Sequence, residues 1–148
     1  MRVTECRTGL KKLVTVRGLE PADGKKITND KYSFDWKEAK KEADVYKLSL
    51  NEDGNILGLV ALVDIPSDKR IEIKLLASSV ENVGKDKVYE GIAGNLISFA
   101  CRVAVTRYGE FACVSLLPKT ELKHHYMRKY GMLDGEDRSI LRAVSYLI

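Results

Sequence analysis

The order of apolar and polar residues in the middle of the chain is typical of β-strands. Residues 45–50 alternate between the two kinds, which predicts a strand with one apolar face. Residues 56–65 are nearly all apolar, as in a central strand that is covered on both faces. Residues 70–77 alternate again, and the polar clusters 51–55 and 66–68 are typical of turns. This part of the chain therefore predicts an antiparallel meander.

Helical spacing dominates the pattern further along. Residues 91–107 carry an apolar stripe at helical spacing, and Gly109 stands where helices commonly end. We predict a buried strand over 111–117, a second helix over 120–130 and a closing strand over 139–147. The element order predicts an α+β fold, with a mixed, mostly antiparallel sheet flanked by helices and one parallel β-α-β crossover.

The N-terminal region has weaker patterns. Residues 10–17 are interpreted as the first strand, and the polar residues 18–34 as a loop. Asp35 is a predicted N-cap for a short helix over 36–43. Residues 78–90 are polar and are expected to form a long connection. We expect one domain over all 148 residues, which is enough chain for a sizeable core.

Composition and cysteine usage limit the class of protein. Hydrophobic residues make up 45% and charged residues 31%, as in ordinary soluble domains. No apolar run is long enough to cross a bilayer and no signal peptide is evident, so we predict a cytoplasmic protein without a membrane partner. The three cysteines include no C-x-x-C motif, which argues against a disulfide framework and favours buried apolar roles.

The net charge of +4 suits an anionic ligand. The lysine pairs are scattered rather than clustered, whereas a nucleic-acid-binding surface usually has a basic stripe with exposed aromatic residues. A small basic module associated with nucleic acid is therefore kept only as a less favoured alternative.

The segment KVYEGIAGNLISFA, residues 87–100, places Gly91, Ala93 and Gly94 at the start of the predicted helix. The first amides of a helix lack intrahelical acceptors, and small residues would let an anion approach them. The same residues could instead permit close packing of the helix on the sheet. Neither a Walker A motif nor a dinucleotide fingerprint is present, so two other phosphate-binding motifs are excluded.

The element order and this loop resemble the GNAT family of acyl-CoA-dependent N-acyltransferases. The family loop reads R/Q-x-x-G-x-G/A, and the matching window here is VYEGIA, residues 88–93. Val88 stands at the position of the family's Arg or Gln, while Lys85 and Lys87 lie nearby and could supply positive charge.

A second motif near the end of the chain strengthens the resemblance. HHYMRKYGM is similar to the family's F-Y-x-x-x-G-F, and alignment on Gly131 places Tyr126 at the Phe position and Met127 at the usual Tyr position. The resemblance covers roughly residues 44–148, and the part before it, 1–43, is short and divergent.

The resemblance implies acetyl-CoA, or another acyl-CoA, as the cofactor. The pantetheine arm would pair with the backbone of Leu76, Ala77 and Ser78, in a gap between the strands that flank the first long helix. The pyrophosphate would be bound by amides of the following loop and helix start: Tyr89, Glu90, Gly91, Ile92, Ala93, Gly94 and Asn95.

The resemblance also implies transfer of the acyl group to an amine acceptor, whose identity the sequence does not indicate. Tyr126 is the candidate acid for the leaving thiolate, and Glu72 or Glu81 is the candidate base. His124 and His125 are adjacent on a predicted helix and point in different directions, so no metal site is expected. A GNAT-like protein that binds CoA or another ligand without catalysis is the main alternative. Pairing of edge strands into a homodimer is compatible with the family.

Overall fold

The computed structural model describes residues 1–28, 32, 36–116, 129–130, 132–135 and 138–143. Within these residues there are nine strands: β1 (Arg2–Glu5), β2 (Lys11–Gly18), β3 (Asp44–Leu50), β4 (Ile56–Ile65), β5 (Arg70–Ser78), β6 (Tyr89–Glu90), β7 (Cys113–Leu116), β8 (Leu133–Gly135) and β9 (Arg138–Arg142). The helices are α1 (Trp36–Ala39) and α2 (Ile92–Tyr108). The sheet order is β6-β1-β2-β3-β4-β5-β7-β9-β8.

Strand pairing confirms the predicted α+β class. The pairs β1/β2, β1/β6, β2/β3, β7/β9 and β8/β9 are antiparallel, and β5/β7 is parallel. Helix α2 lies between β5 and β7 in the chain, and so forms the expected parallel β-α-β crossover. Neither described helix is both long enough and apolar enough to cross a lipid bilayer.

The chain forms two compact units, Met1–Ala61 with Leu75–Leu96, and Leu62–Lys74 with Ile97–Ile148. That all 148 residues form one domain stays a prediction. The first unit contains the meander, in which β2 and β3 pair with Val14 opposite Leu50 and Arg17 opposite Lys47.

Aromatic residues centre one part of the first unit's core. Tyr32 and Trp36 are buried, and their rings meet edge to face with centroids 6.4 Å apart. They pack in one cluster with β-strand residues that include Ile56 and Leu59. The short α1 therefore has a buried face, formed by Trp36 and Ala39.

Gly58 on β4 lets the start of α2 approach the sheet. A Cβ atom built there would lie 2.6 Å from Ile92 Cγ2, 3.1 Å from Leu96 Cδ1 and 3.2 Å from the carbonyl oxygen of Ala77. Separations below about 3 Å are well inside van der Waals contact between carbon atoms. The close helix–sheet contact therefore depends on a glycine of the strand.

Replacing Gly58 with alanine is expected to lower the free energy of unfolding by about 1–3 kcal/mol, because the added methyl group would force Ile92 and β4 apart. Gly18→Ala is the matched control, since a Cβ on that strand glycine would meet no atom within 4 Å. Urea denaturation of both variants tests this. Equal stabilities of the two variants would contradict the close approach.

The second unit contains the parallel pair. Residues Arg70–Ile73 of β5 pair with Cys113–Leu116 of β7, and Ile71 and Ile73 are buried. At the far end of α2, Asp64 of β4 accepts hydrogen bonds from Arg107 and from the Tyr108 hydroxyl. The bond to Asp64 and burial raise the pKa of Tyr108.

Several predicted elements need correction. The strand predicted over 10–17 is β2 rather than the first strand, and the helix predicted over 36–43 ends at Ala39. Three short strands were missed: β1, β6 and β8. Residue 35 and the helix predicted over 120–130 lie outside the described residues, except for Lys129 and Tyr130.

The segments near the predicted last strands also differ from expectation. The strand predicted over 111–117 is observed as Cys113–Leu116, with Phe111 68% exposed, and the closing strand is observed as Arg138–Arg142. Among the cysteines, Cys101 is buried as expected, whereas Cys6 is exposed. Burial raises the pKa of Cys101 to about 12, so this thiol is inert at neutral pH.

Candidate cofactor site

Gly91 precedes α2 in a backbone conformation that favours glycine. Its φ angle is +97°, and a Cβ atom there would have a single close neighbour, Asn95 Nδ2 at 3.8 Å. An L-amino acid with a side chain is strained at such an angle, even where space is available. Gly91 is therefore explained by the turn into the helix and not by packing on the sheet, the role that Gly58 performs.

Asn95 fixes this turn in place. Its Nδ2 donates to the Gly91 carbonyl and to the Arg2 carbonyl of β1, both at 2.7 Å. Its backbone amide also donates to the Gly91 carbonyl, at 3.1 Å. One side chain thus joins the helix start to the neighbouring strand.

Two amides at the helix start are left for a ligand. Among the described residues, none accepts a backbone hydrogen bond from the amides of Ile92 or Ala93. Residues 89–95 were predicted to bind the pyrophosphate through their amides, but the first and last of these amides already have acceptors. The Tyr89 amide donates to Asn82 Oδ1 at 2.8 Å, and the Asn95 amide donates to the Gly91 carbonyl. An anion could therefore be bound by the amides of Ile92 and Ala93, a shorter segment than the sequence indicated.

The charges around this turn are compatible with an anion. The first turn of α2 contains no acidic residue, so no carboxylate of the helix competes for its positive end. The carboxylate of Glu90 lies 3.3 Å from Lys87 Nζ, which offsets its negative charge. Lys87, expected to supply positive charge in place of an Arg or Gln at Val88, is thus already paired.

A buried polar network holds the segment that leads to this turn. Asn82 Nδ2 donates to Ser79 Oγ at 2.8 Å, and both side chains are buried. Ser79 is hydrogen-bonded to the hydroxyl of Tyr32, which lies 3.3 Å from the Ile56 carbonyl. Burial and the nearby charge of Glu81 raise the pKa of Tyr32, although the bond from Ser79 lowers it, so this phenol stays neutral.

Sequence reasoning missed this network. Its members lie in loops and on different strands, without a period that could indicate burial. Ser79 and Asn82, three residues apart in a polar connection, gave the one available signal: short polar side chains that commonly bond to nearby backbone.

Replacing Asn82 with leucine is expected to weaken acetyl-CoA binding about tenfold, because the Tyr89 amide and Ser79 lose their partner and the turn loses its anchor. Asn55→Leu is the control, since this exposed asparagine lies in a turn of the same unit and no side-chain bond of its own is described. Titration calorimetry of both variants provides the measurement. Unchanged affinity in the Asn82 variant would contradict a positioning role.

Several solved structures share this arrangement of strands and helix. The spermidine/spermine N-acetyltransferase SpeG from Vibrio cholerae matches with a TM-score of 0.66 and 17% identity, over 90% of this chain and 96% of that chain. AtaTR bound with acetyl-CoA matches with a TM-score of 0.60 and 18% identity, over 90% and 96%. The IAA acetyltransferase from Bacillus cereus matches with a TM-score of 0.54 and 17% identity, over 79% and 75%. The chain has the fold of these acetyltransferases.

The expected GNAT fold is thereby confirmed. At 17–18% identity these structures carry no residue roles over to this chain. No family model and no curated protein sequence matches the chain.

The predicted pantetheine strand is the end of β5 in this acetyltransferase fold. Leu76, Ala77 and Ser78 are half-buried, and Ala77 packs against the core of the first unit. The described pairing of β5 with β7 extends to Ile73 and Leu116. Residues 117–128 are outside the described part, so the predicted gap between these strands is not tested.

Of the predicted catalytic residues, the two candidate bases Glu72 and Glu81 lie in the described part of the chain. Glu72 lies on β5 in the second unit and is paired with Arg70 at 3.3 Å, while Arg70 also donates to Ser115 of β7. Glu72 is thus engaged by a cation, and its function as the base stays a prediction. Glu81, the alternative base, is exposed in the turn Val80–Asn82.

The remaining candidates, Tyr126 and the two histidines His124 and His125, lie outside the described residues. Within the described part of the chain, no three His, Cys, Asp or Glu side chains come together as a metal site.

Proposed function

We propose that the protein is an N-acyltransferase that transfers an acetyl group from acetyl-CoA to an amine. The observation that carries this proposal is the start of α2. There, in an acetyltransferase fold, the positive φ of Gly91 leads into a helix whose Ile92 and Ala93 amides have no acceptor among the described residues. Such amides bind phosphate groups well, and acetyl-CoA carries a pyrophosphate.

The comparisons support the cofactor and the reaction class. One structural neighbour is bound with acetyl-CoA, and others are named as acetyltransferases of spermidine or spermine. The acceptor is accordingly proposed only as an amine. The Vibrio cholerae spermidine N-acetyltransferase is dodecameric, which supports proposing a homo-oligomer for this protein too. The cytoplasmic location stays a prediction.

In the proposed reaction the neutral amine nitrogen attacks the thioester carbonyl carbon, and the C–S bond breaks as the amide bond forms. The backbone of Leu76, Ala77 and Ser78 would hold the pantetheine and polarise the carbonyl. Glu72 would take a proton from the ammonium form of the amine, directly or through water. Tyr126 would protonate the leaving thiolate, and the proton that the nitrogen loses as the amide forms would return, directly or through water, to the Tyr126 phenolate.

Replacing Tyr126 with phenylalanine is expected to lower kcat about a hundredfold with little change in the Kd for acetyl-CoA, because the acid is lost and the cofactor contacts are kept. Tyr130→Phe, four residues further on, is the matched control and is expected to keep its turnover. Steady-state kinetics and calorimetry on both variants provide the comparison. Turnover of the Tyr126 variant equal to that of the control would exclude Tyr126 as the acid.

Titration calorimetry with acetyl-CoA, CoA and ATP tests the proposed function. Micromolar binding of acetyl-CoA, without comparable binding of ATP, is expected, followed by acetyl transfer when amines are screened. Absence of binding at millimolar acetyl-CoA would refute the proposal.

The alternative, acyl-CoA binding without catalysis, is favoured by Val88, which is apolar and 43% exposed where the family has Arg or Gln. Tight binding without turnover on any amine would support this alternative over the enzyme.

A further inference from the structure

A cleft of about 560 Å³ lies on the first unit, over the face of β2 and β3 that carries Arg17 and Lys47. Small-molecule sites commonly have volumes of about 300–1,000 Å³. Most of the residues that line it are polar or charged, and none of them belongs to the candidate cofactor site. The lining includes Thr15, Arg17, Glu20, Asp23, Lys26 and Lys47.

Two like charges face each other on this sheet. Arg17 and Lys47 are directly opposite partners of the antiparallel pair β2/β3, an arrangement that destabilises a sheet unless the charges are offset. Lys47 is offset by Asp23, whose carboxylate lies 2.7 Å from its Nζ. In the described part of the chain, no carboxylate forms an ion pair with Arg17.

Lys26 adds a second cation without an ion pair to the same cleft, again counting the described residues. It follows the turn Pro21–Lys25, and its amide donates to the Asp23 carbonyl at 2.9 Å, which fixes its backbone beside the cleft. The carboxylate of Asp23 accepts from Lys47 Nζ and from the Glu20 amide, and none of its described hydrogen bonds comes from Lys26.

Side chains that line the cleft are held in place by bonds to one another. The Asp23 and Lys47 side chains are only 6% and 15% exposed, so their ion pair forms the buried base of the cleft. At the other end, Thr15 Oγ1 donates to Asn51 Oδ1 at 2.6 Å across the two strands. A ligand would therefore meet a preorganised polar surface with two cations available.

We propose that this cleft binds a small molecule through an anionic group, phosphate or carboxylate, held by the guanidinium of Arg17 and the ammonium of Lys26. A planar guanidinium binds both kinds of group with paired hydrogen bonds. The site is separate from that proposed for acetyl-CoA, and its occupancy does not depend on acyl transfer.

Nuclear magnetic resonance of the ¹⁵N-labelled full chain tests this proposal. Inorganic phosphate and malonate are titrated separately, with sodium chloride keeping the ionic strength constant. Saturable shifts are expected at amides of residues 15–18, 23–26 and 47–51. Saturation with phosphate alone would identify a phosphorylated ligand, and saturation with malonate alone a carboxylic acid; either supports the site.

Arg17→Gln is expected to weaken the saturable binding about tenfold, because one charge-assisted contact is lost. Lys25→Gln is the matched control, since Lys25 is exposed in the adjoining turn and does not line the cleft. Unchanged spectra away from the cleft show that both variants are folded. Shifts that rise linearly with both salts, or equal affinities of the two variants, would overturn the proposal.

Discussion

Replacing Gly91 with glutamate is expected to lower the affinity for acetyl-CoA at least about a hundredfold. The new carboxylate would lie beside the Ile92 and Ala93 amides, where it would repel the pyrophosphate and occupy the positive end of the helix. The φ of +97° adds strain for any residue with a side chain, roughly 1–2 kcal/mol. Titration calorimetry measures the affinity, and circular dichroism checks that α2 is kept.

Gly84→Glu is the control that distinguishes the effect of a negative charge at the start of α2 from the effect of backbone strain. Gly84 lies in the same connection with a φ of +88°, and a Cβ atom there would meet no atom within 4 Å, so its variant carries the same charge and similar strain. We expect this control to bind acetyl-CoA within about threefold of the native protein. Equal losses of affinity in the two variants would show that the start of α2 is not the pyrophosphate site.

Long apolar segments made most of the fold predictable. The strand predicted over 56–65 is observed with the same bounds, and the helix predicted over 91–107 is observed as Ile92–Tyr108. Both contain enough positions for a period or a continuous buried run to stand out. The β-α-β order then followed, because a helix between two strands favours a parallel crossover.

The missed strands are short and depend on partners far away in the chain. β1 has four residues, of which Val3 alone is buried, and β6 has two. β6 exists because Glu90 pairs with Thr4 and the Tyr89 amide is held by Asn82. No local pattern encodes such pairing, and the polar composition of 78–90 indicated a loop.

In the candidate site, too, local features were predictable and contacts between distant parts of the chain were not. The glycine at position 91 was expected to admit an anion or to permit close packing on the sheet, and its positive φ adds a reason that the sequence did not show. The bond from Asn95 to Arg2 spans 93 positions, and Tyr32 meets Ser79 from a distant loop, so neither could be expected.

Breaking the ion pair of Asp23 and Lys47 is expected to lower the free energy of unfolding by about 3 kcal/mol, the largest loss of stability among these variants. Asp23→Asn leaves the Lys47 ammonium, only 15% exposed, without its partner at 2.7 Å. Glu52→Gln is the control, because the pair of Glu52 with Lys12 is exposed and longer, at 3.5 Å. Its loss should stay below about 0.5 kcal/mol. Equal urea midpoints for the two variants would contradict the expectation.

The stability difference between the native protein and Asp23→Asn is also expected to depend on pH. Burial raises the pKa of Asp23, but the bonds from Lys47 and the Glu20 amide and the charges of Lys47 and Lys26 outweigh it, so the pKa lies below the ordinary 3.8. The folded state thus binds this proton more weakly than the unfolded state. The stabilisation is present above pH 3.8 and is lost as the pH falls through the lower pKa of the folded protein. Urea denaturation of both proteins along a pH series should show their difference shrinking in acid. A difference that stays constant, or that grows as the pH falls, would mean that Asp23 is not held ionised by Lys47.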